Sequence, residues 1–202
     1  VWWVKYIVSK VKTSLIHYAS WIEYDKNTKK LTLNFNPRKT KGRKNPQFII
    51  MYLFKVDHVK QTSHINILIY NTEKQILELV EPHGSRTSRL KTKTNMKKIK
   101  ELTQTAINKP IKIFRSLDYT CPRCGPQSCE VAYPNLIKLN AQHGINGYCA
   151  AWVFVILYLK MLYPHISTKK LQQTIIDSGS TFLFIRSFHH DFLKWKSSLD
   201  NK

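Results

Sequence analysis

The stretch from Tyr148 to Leu159 (YCAAWVFVILYL) constrains this chain more than any other, because its twelve residues carry no charge. It is too short for a bilayer, which needs about 20 apolar residues. A helix apolar on every side belongs in the middle of a folded core. Gly144 and Gly147 lead into the run and Pro164 closes it. Cys149 is therefore expected to open the helix, where first-turn N–H groups and the positive end of the macrodipole favour a thiolate. The rest of the sequence can be read by asking what faces that sulfur.

At 202 residues the chain suits one domain, with a motif-bearing core over about 47–165. It is 43% hydrophobic and 12% aromatic, enough for a real core and unlike a disordered tail. Lys and Arg number 33 against 12 Asp and Glu, and the net charge of +21 favours polyanionic partners, nucleic acid or an acidic protein surface. Four cysteines are too few for a disulfide-framed secreted domain of this size. The first residues (VWWVKYIV) lack a signal-peptide layout, their apolar run being interrupted at Lys5. No segment is expected to span a membrane, and a reducing intracellular setting fits best. The absence of an initial Met leads us to expect a trimmed chain or a fragment.

Along the chain, residues 1–23 read as a short helix running into a strand, and Leu31 to Phe35 alternates like a strand. Arg38, Lys39, Lys41, Arg43 and Lys44 form an exposed basic loop between two prolines. Gln47 to Val56 (QFIIMYLFKV), His64 to Tyr70 (HINILIY) and Gln75 to Val80 (QILELV) read as strands, the last two paired across Asn71-Thr72-Glu73-Lys74. Residues 86–100 are a second basic stretch leading into a helix that ends near Ile107, and a short strand lies within residues 109–117. Residues 121–142 are irregular. Ser167 and Thr168 cap a helix running to about Ser178, and residues 181–199 form a last amphipathic helix. A β-rich first half followed by the cysteine helix and further helices makes the fold class α+β.

A nucleophilic Cys149 needs a base, and the base needs an orienting acceptor. A hairpin centred between Thr72 and Glu73 pairs residues whose numbers sum to 145, which sets His64 opposite Glu81 on one face. Cβ atoms about 5 Å apart there suit an imidazole–carboxylate hydrogen bond. His64 would then take the thiol proton, and Glu81 would fix its tautomer and stabilise the imidazolium.

His64, then the acid in Val80-Glu81-Pro82-His83-Gly84, then Gly147-Tyr148-Cys149-Ala150-Ala151-Trp152 resembles the His–acid–Cys order of adenain-type and SUMO-protease-type cysteine peptidases. The pattern is most similar to divergent members in large DNA viruses, which run His-x-Asn, Glu-Pro-His-Gly and Gly-Tyr-Cys-x-Ala-Trp. The resemblance covers roughly residues 47–165. It implies a papain-like variant with a mixed central sheet, a buried nucleophile helix and C-terminal helices. It also implies a His64–Cys149 dyad with Glu81 as third member. Glu rather than Asp leans toward the viral branch, whereas Ile65 stands where that branch often has Trp. A Gln shortly before the Cys would help form an oxyanion hole, and both Gln127 (in Gly125-Pro126-Gln127) and Gln142 compete for this role. Asn66 is expected to shape the site, and His83 to hydrogen-bond within its turn.

The resemblance implies substrates among viral polyproteins cut after Gly, or ubiquitin-like conjugates ending in Gly-Gly, threaded through a narrow tunnel lined by Trp152 or other aromatics. No cofactor is expected. The setting would be intracellular, in the host cytoplasm or the virion. Adenovirus-type proteinases use DNA as a cofactor, which together with the +21 charge marks loops 38–44 and 86–100 as candidate DNA or RNA contacts, made mostly to phosphate. Cys121-Pro-Arg-Cys124 with Cys129 hints at zinc, but a closed structural site needs four ligands and only His143 could complete the set. Metal binding is not expected. The rival from another class is a non-enzymatic basic nucleic-acid-binding or virion packaging protein, in which Cys149 is merely a buried helix residue.

Overall fold

The computed structural model describes residues 6–7, 10, 16–35, 46–86, 89–131, 148–179 and 181–200. The chain is α+β and divides into two compact units. One, built on a sheet, comprises Ser14–Glu81 and Thr87–Thr120; the other, built on helices, comprises Val1–Thr13, Pro82–Arg86 and Cys121–Lys202.

The sheet unit holds β1 (Ile16–Asp25), β2 (Leu31–Phe35), β3 (Phe48–Asp57), β4 (Thr62–Asn71), β5 (Ile76–Val80) and β6 (Ile113–Arg115). Their spatial order is β2-β1-β3-β4-β5-β6. The sheet is mixed: β1/β3 and β5/β6 run parallel, and the other neighbours antiparallel. The first six residues of β3 are all buried, as are Ile65 to Tyr70 of β4. Strands buried on both faces read as continuous apolar runs, which is why these two segments show little alternation.

Three antiparallel hairpins share one turn chemistry. At the end of the leading strand, Asp25, Asp57 and Asn71 each accept a bond at Oδ1 from the backbone N–H three residues on, Thr28 (3.4 Å), Lys60 (3.0 Å) and Lys74 (2.9 Å). The next residue then takes a left-handed conformation: Lys29 (φ 59°), Gln61 (φ 50°) and Gln75 (φ 55°). Asx side chains nucleate such turns by mimicking a backbone acceptor. The outcome is a four-residue loop, so Asn71 pairs with Ile76 and Asp57 with Thr62.

A helix, α1 (Lys93–Ile107), packs on β1 and β2. Its buried residues Ile99, Thr103, Ala106 and Ile107 recur at three- and four-residue spacing, as one helical face requires. Thr92 caps it by accepting from Asn95 N at 3.2 Å, and Asn108 ends it in the left-handed region. Lys93, Lys97 and Lys98 stay exposed. A short helix, α2 (Leu117–Thr120), follows β6, and its Thr120 hydroxyl donates to the Leu79 carbonyl of β5.

The helical unit contains α3 (Pro126–Val131), α4 (Cys149–Leu162), α5 (Thr168–Asp177) and α6 (Thr181–Asp200). Tyr148, Ala151, Trp152, Val155, Ile175 and Ile185 form its core where α4 meets α5 and α6. The Lys160 ammonium, almost wholly buried, donates to the Ile166 carbonyl at 2.9 Å and ties the end of α4 to the chain leaving it. Ser167 caps α5 through Lys170 N. No helix of the described residues is long and apolar enough to cross a membrane.

Candidate functional site

In the sheet unit, the carboxylate of Glu81 is completely buried and bonds two partners, His64 and Lys55. His64 Nε2 bonds its Oε1, and Lys55 Nζ lies 2.9 Å from its Oε2. Lys55 and His64 are directly paired across β3 and β4. Glu81 sits one residue beyond the last paired position of β5. Burial alone pushes this carboxyl up, but the His64 bond and charge, and then those of Lys55, outweigh it and bring the pKa down to about 2. Glu81 is therefore an anion at neutral pH. Its acceptor role puts the proton of a neutral His64 ring on Nε2, which leaves Nδ1 as the basic nitrogen.

The hairpin register differs from the sequence expectation. The β4–β5 pairs sum to 147 rather than 145, as in Ile67 with Val80, because the Asn71 turn places its loop one residue later than supposed. His64 and Glu81 are accordingly not directly opposite. A shift of two keeps each side chain on its face, so the pair is diagonal and still within reach of long side chains.

In the helical unit, Cys149 is the first residue of α4, and it is half-buried. Neither a side-chain cap nor an acidic residue occupies the first turn, so nothing of that kind offsets the positive end of the dipole. The preceding Tyr148 is fixed by α6. Its hydroxyl accepts from Arg186, whose guanidinium also lies 4.8 Å from the ring centroid, and His189 meets the ring edge-on.

Two of the sequence motifs lock together inside the same unit. Ser85 N and Arg86 N donate to the carbonyls of Pro122 and Arg123, while Gly125 N and Gln127 N donate to those of His83 and Pro82. A Cβ on Gly84 would stand 2.3 Å from Gly125 N, and one on Gly125 would stand 2.3 Å from Pro82 O. Gly84 also takes φ +92°. Both glycines are thus demanded by a backbone-to-backbone approach. His83 serves this clamp: its carbonyl accepts from the Ser128 hydroxyl at 2.8 Å, and its Nδ1 lies 3.2 Å from the same oxygen. Gln127 is buried, its Oε1 has no hydrogen-bond partner among the described residues, and its backbone is bound to the residue that follows Glu81.

No protein-family profile matches the chain, and no solved structure matches it. A protein of Acanthamoeba polyphaga mimivirus, named as an ankyrin repeat protein, is 30% identical over 124 residues. That similarity takes in 57% of this chain but only 16% of the mimivirus protein. Ankyrin repeats are built from pairs of helices in units of about 33 residues. The six-stranded sheet of the described residues is a different construction from that repeat.

Of the residues singled out from sequence, His64 and Glu81 are in contact, whereas Cys149 and Gln127 belong to the helical unit. Gln142, His143 and the basic loop 38–44 lie outside the described residues. Trp152, expected on a tunnel wall, is fully buried in the core of the helical unit. Asn66 is on the His64 face of β4, also fully buried, and neither of its amide atoms has a partner among the described residues. Sequence reasoning missed Lys55, whose position follows only from the β3–β4 register. It also missed Arg186, for which the sequence holds no local signal.

Proposed function

We propose that the chain is a papain-like thiol peptidase or isopeptidase in which Cys149 is the nucleophile, His64 the base and Glu81 the residue that orients it. The observation that carries this reading is the buried Glu81 carboxylate bonded to His64 Nε2. A histidine so held has its tautomer fixed and its imidazolium stabilised, as a general base in acyl transfer requires. The position of Cys149 at an uncapped helix N-terminus supports the thiolate.

In the proposed reaction, His64 Nδ1 takes the Cys149 proton and the sulfur attacks the substrate carbonyl. Gln127 and the Cys149 N–H would receive the developing oxyanion. We give this role to Gln127 rather than Gln142 because its backbone is fastened to Pro82, next to Glu81 in the chain. His64 then protonates the leaving amine, and water hydrolyses the thioester. Protein substrates cut after Gly, viral polyproteins or ubiquitin-like conjugates, follow from the resemblance of the motifs. The similarity to a mimivirus protein supports a viral origin, and with it a place in the host cytoplasm or the virion.

A panel of ubiquitin, SUMO and Gly-Gly-X substrates tests the reading. Cleavage that disappears in Cys149→Ala and His64→Ala is expected. Activity surviving either substitution would overturn it.

A second reading, polyanion binding, is favoured by the +21 charge and by the exposed Lys93, Lys97 and Lys98 on α1. Loop 38–44 would add phosphate contacts. Binding of DNA at low salt tests it; none under those conditions ends it.

A further inference from the structure

Cys124, just before α3, and Cys129, within it, flank Gln127 in the chain, and their sulfurs lie 3.5 Å apart, with Cys129 the hydrogen-bond donor. Both are thiols; Cys124 is exposed and Cys129 half-buried. Among the described residues no three His, Cys, Asp or Glu side chains gather as a metal site would need. Cys121 is fully buried. The chemistry open to two adjacent thiols with one exposed partner is oxidation to a disulfide, whose S–S length is about 2.05 Å, roughly 1.5 Å shorter than the present separation.

We propose that Cys124 and Cys129 form a reversible disulfide under peroxide-class oxidants, a redox site separate from Cys149. The Cys124 thiolate attacks a peroxide oxygen, giving Cys124 sulfenic acid and releasing the other oxygen as water or alcohol. The Cys129 sulfur then attacks the sulfenic sulfur, expelling water and forming the S–S bond. Two thiols lose two electrons and two protons, and one peroxide is reduced. The direction of attack follows from exposure: the peroxide reaches the exposed Cys124 sulfur before the half-buried Cys129. Burial first, and then Cys124 itself, push the Cys129 thiol up to about 11, so it does not react first with the peroxide; its proton leaves with the sulfenic oxygen, as water, when its sulfur attacks.

The ring so closed encloses residues 125–128, of which Gly125 and Ser128 are bonded to His83 and Gln127 to Pro82. An effect on turnover through Gln127 rests on the peptidase reading; disulfide formation does not.

The test treats the full chain with limiting hydrogen peroxide, alkylates the remaining thiols, and digests with trypsin after Arg123 and Lys138. Cys124 and Cys129 then share one peptide, while Cys121 and Cys149 lie on others. That peptide is expected to lose about two hydrogens and to regain alkylation after reduction. With alkylation carried out in denaturant, Cys121 should be labelled throughout. In Cys129→Ser a 1,3-diketone probe should trap Cys124 sulfenic acid, which the wild type should not accumulate. Persistent alkylation of both cysteines, or a bridge from Cys124 to Cys121, would overturn the proposal. Either result is independent of whether Cys149 proves to be a nucleophile.

Discussion

Glu81 pairs with Lys55 and is bonded by His64 from a position with no solvent exposure, so its loss strands the Lys55 charge. Breaking a buried pair by removing one partner costs about 3–5 kcal/mol. Lys55 and His64 keep some access to water, so Glu81→Ala is expected near the lower end, about 3 kcal/mol, read as a fall in the urea midpoint at constant slope. The pH response has a definite sign. With its folded pKa lowered to about 2 from 4.5, Glu81 contributes stability that is fully present above about pH 4.5 and is lost as pH falls toward 2. Lys55→Met removes one lowering influence and raises the Glu81 pKa. The stability lost on acidification should therefore be smaller and complete at a higher pH, measured as urea midpoints between pH 7 and 2. Asn66 makes the opposite prediction. A buried amide whose atoms find no partner among the described residues costs about 1–3 kcal/mol, so Asn66→Leu, of similar volume, should raise the melting temperature.

At the scale of elements, the strands and the four-turn cysteine helix were legible because apolar runs and turn residues mark them directly. The β4–β5 register was not, because the turn type is decided by Asn71 accepting from Lys74 and by Gln75 tolerating a left-handed φ without being glycine. The face of His64 survived that error only because the slip was even. Lys55 was hidden for a related reason: the β3–β4 turn is set by Asp57 accepting from Lys60 and by Gln61 taking a left-handed φ, which no apolar pattern displays. The glycine clamp yields its own test. Gly84→Ala and Gly125→Ala each force a Cβ against backbone atoms at 2.3 Å, which should cost about 3 kcal/mol or more in thermal or urea unfolding. Gly179 has a positive φ but nothing within 4 Å of a Cβ, so Gly179→Ala should cost only about 1–2 kcal/mol.

On the scale of the whole molecule, the α+β class was readable from the order of segments, a strand-rich half followed by helices. The excess of positive charge says less about fold than about company. If polyanions bind through α1, replacing Lys93, Lys97 and Lys98 by Gln should weaken DNA binding for all sequences alike. The salt dependence should also flatten, by about one unit of slope for each lysine that had neutralised a phosphate. The central claim is that Cys149 is a nucleophile whose reactivity depends on His64. Its most direct test is the rate at which each cysteine reacts with a thiol-directed probe, resolved by peptide mapping, in wild type and His64→Ala. The account predicts that Cys149 reacts far faster than Cys121, Cys124 or Cys129 and slows when His64 is removed. Equal rates at all four cysteines, or a Cys149 rate indifferent to His64, would contradict it.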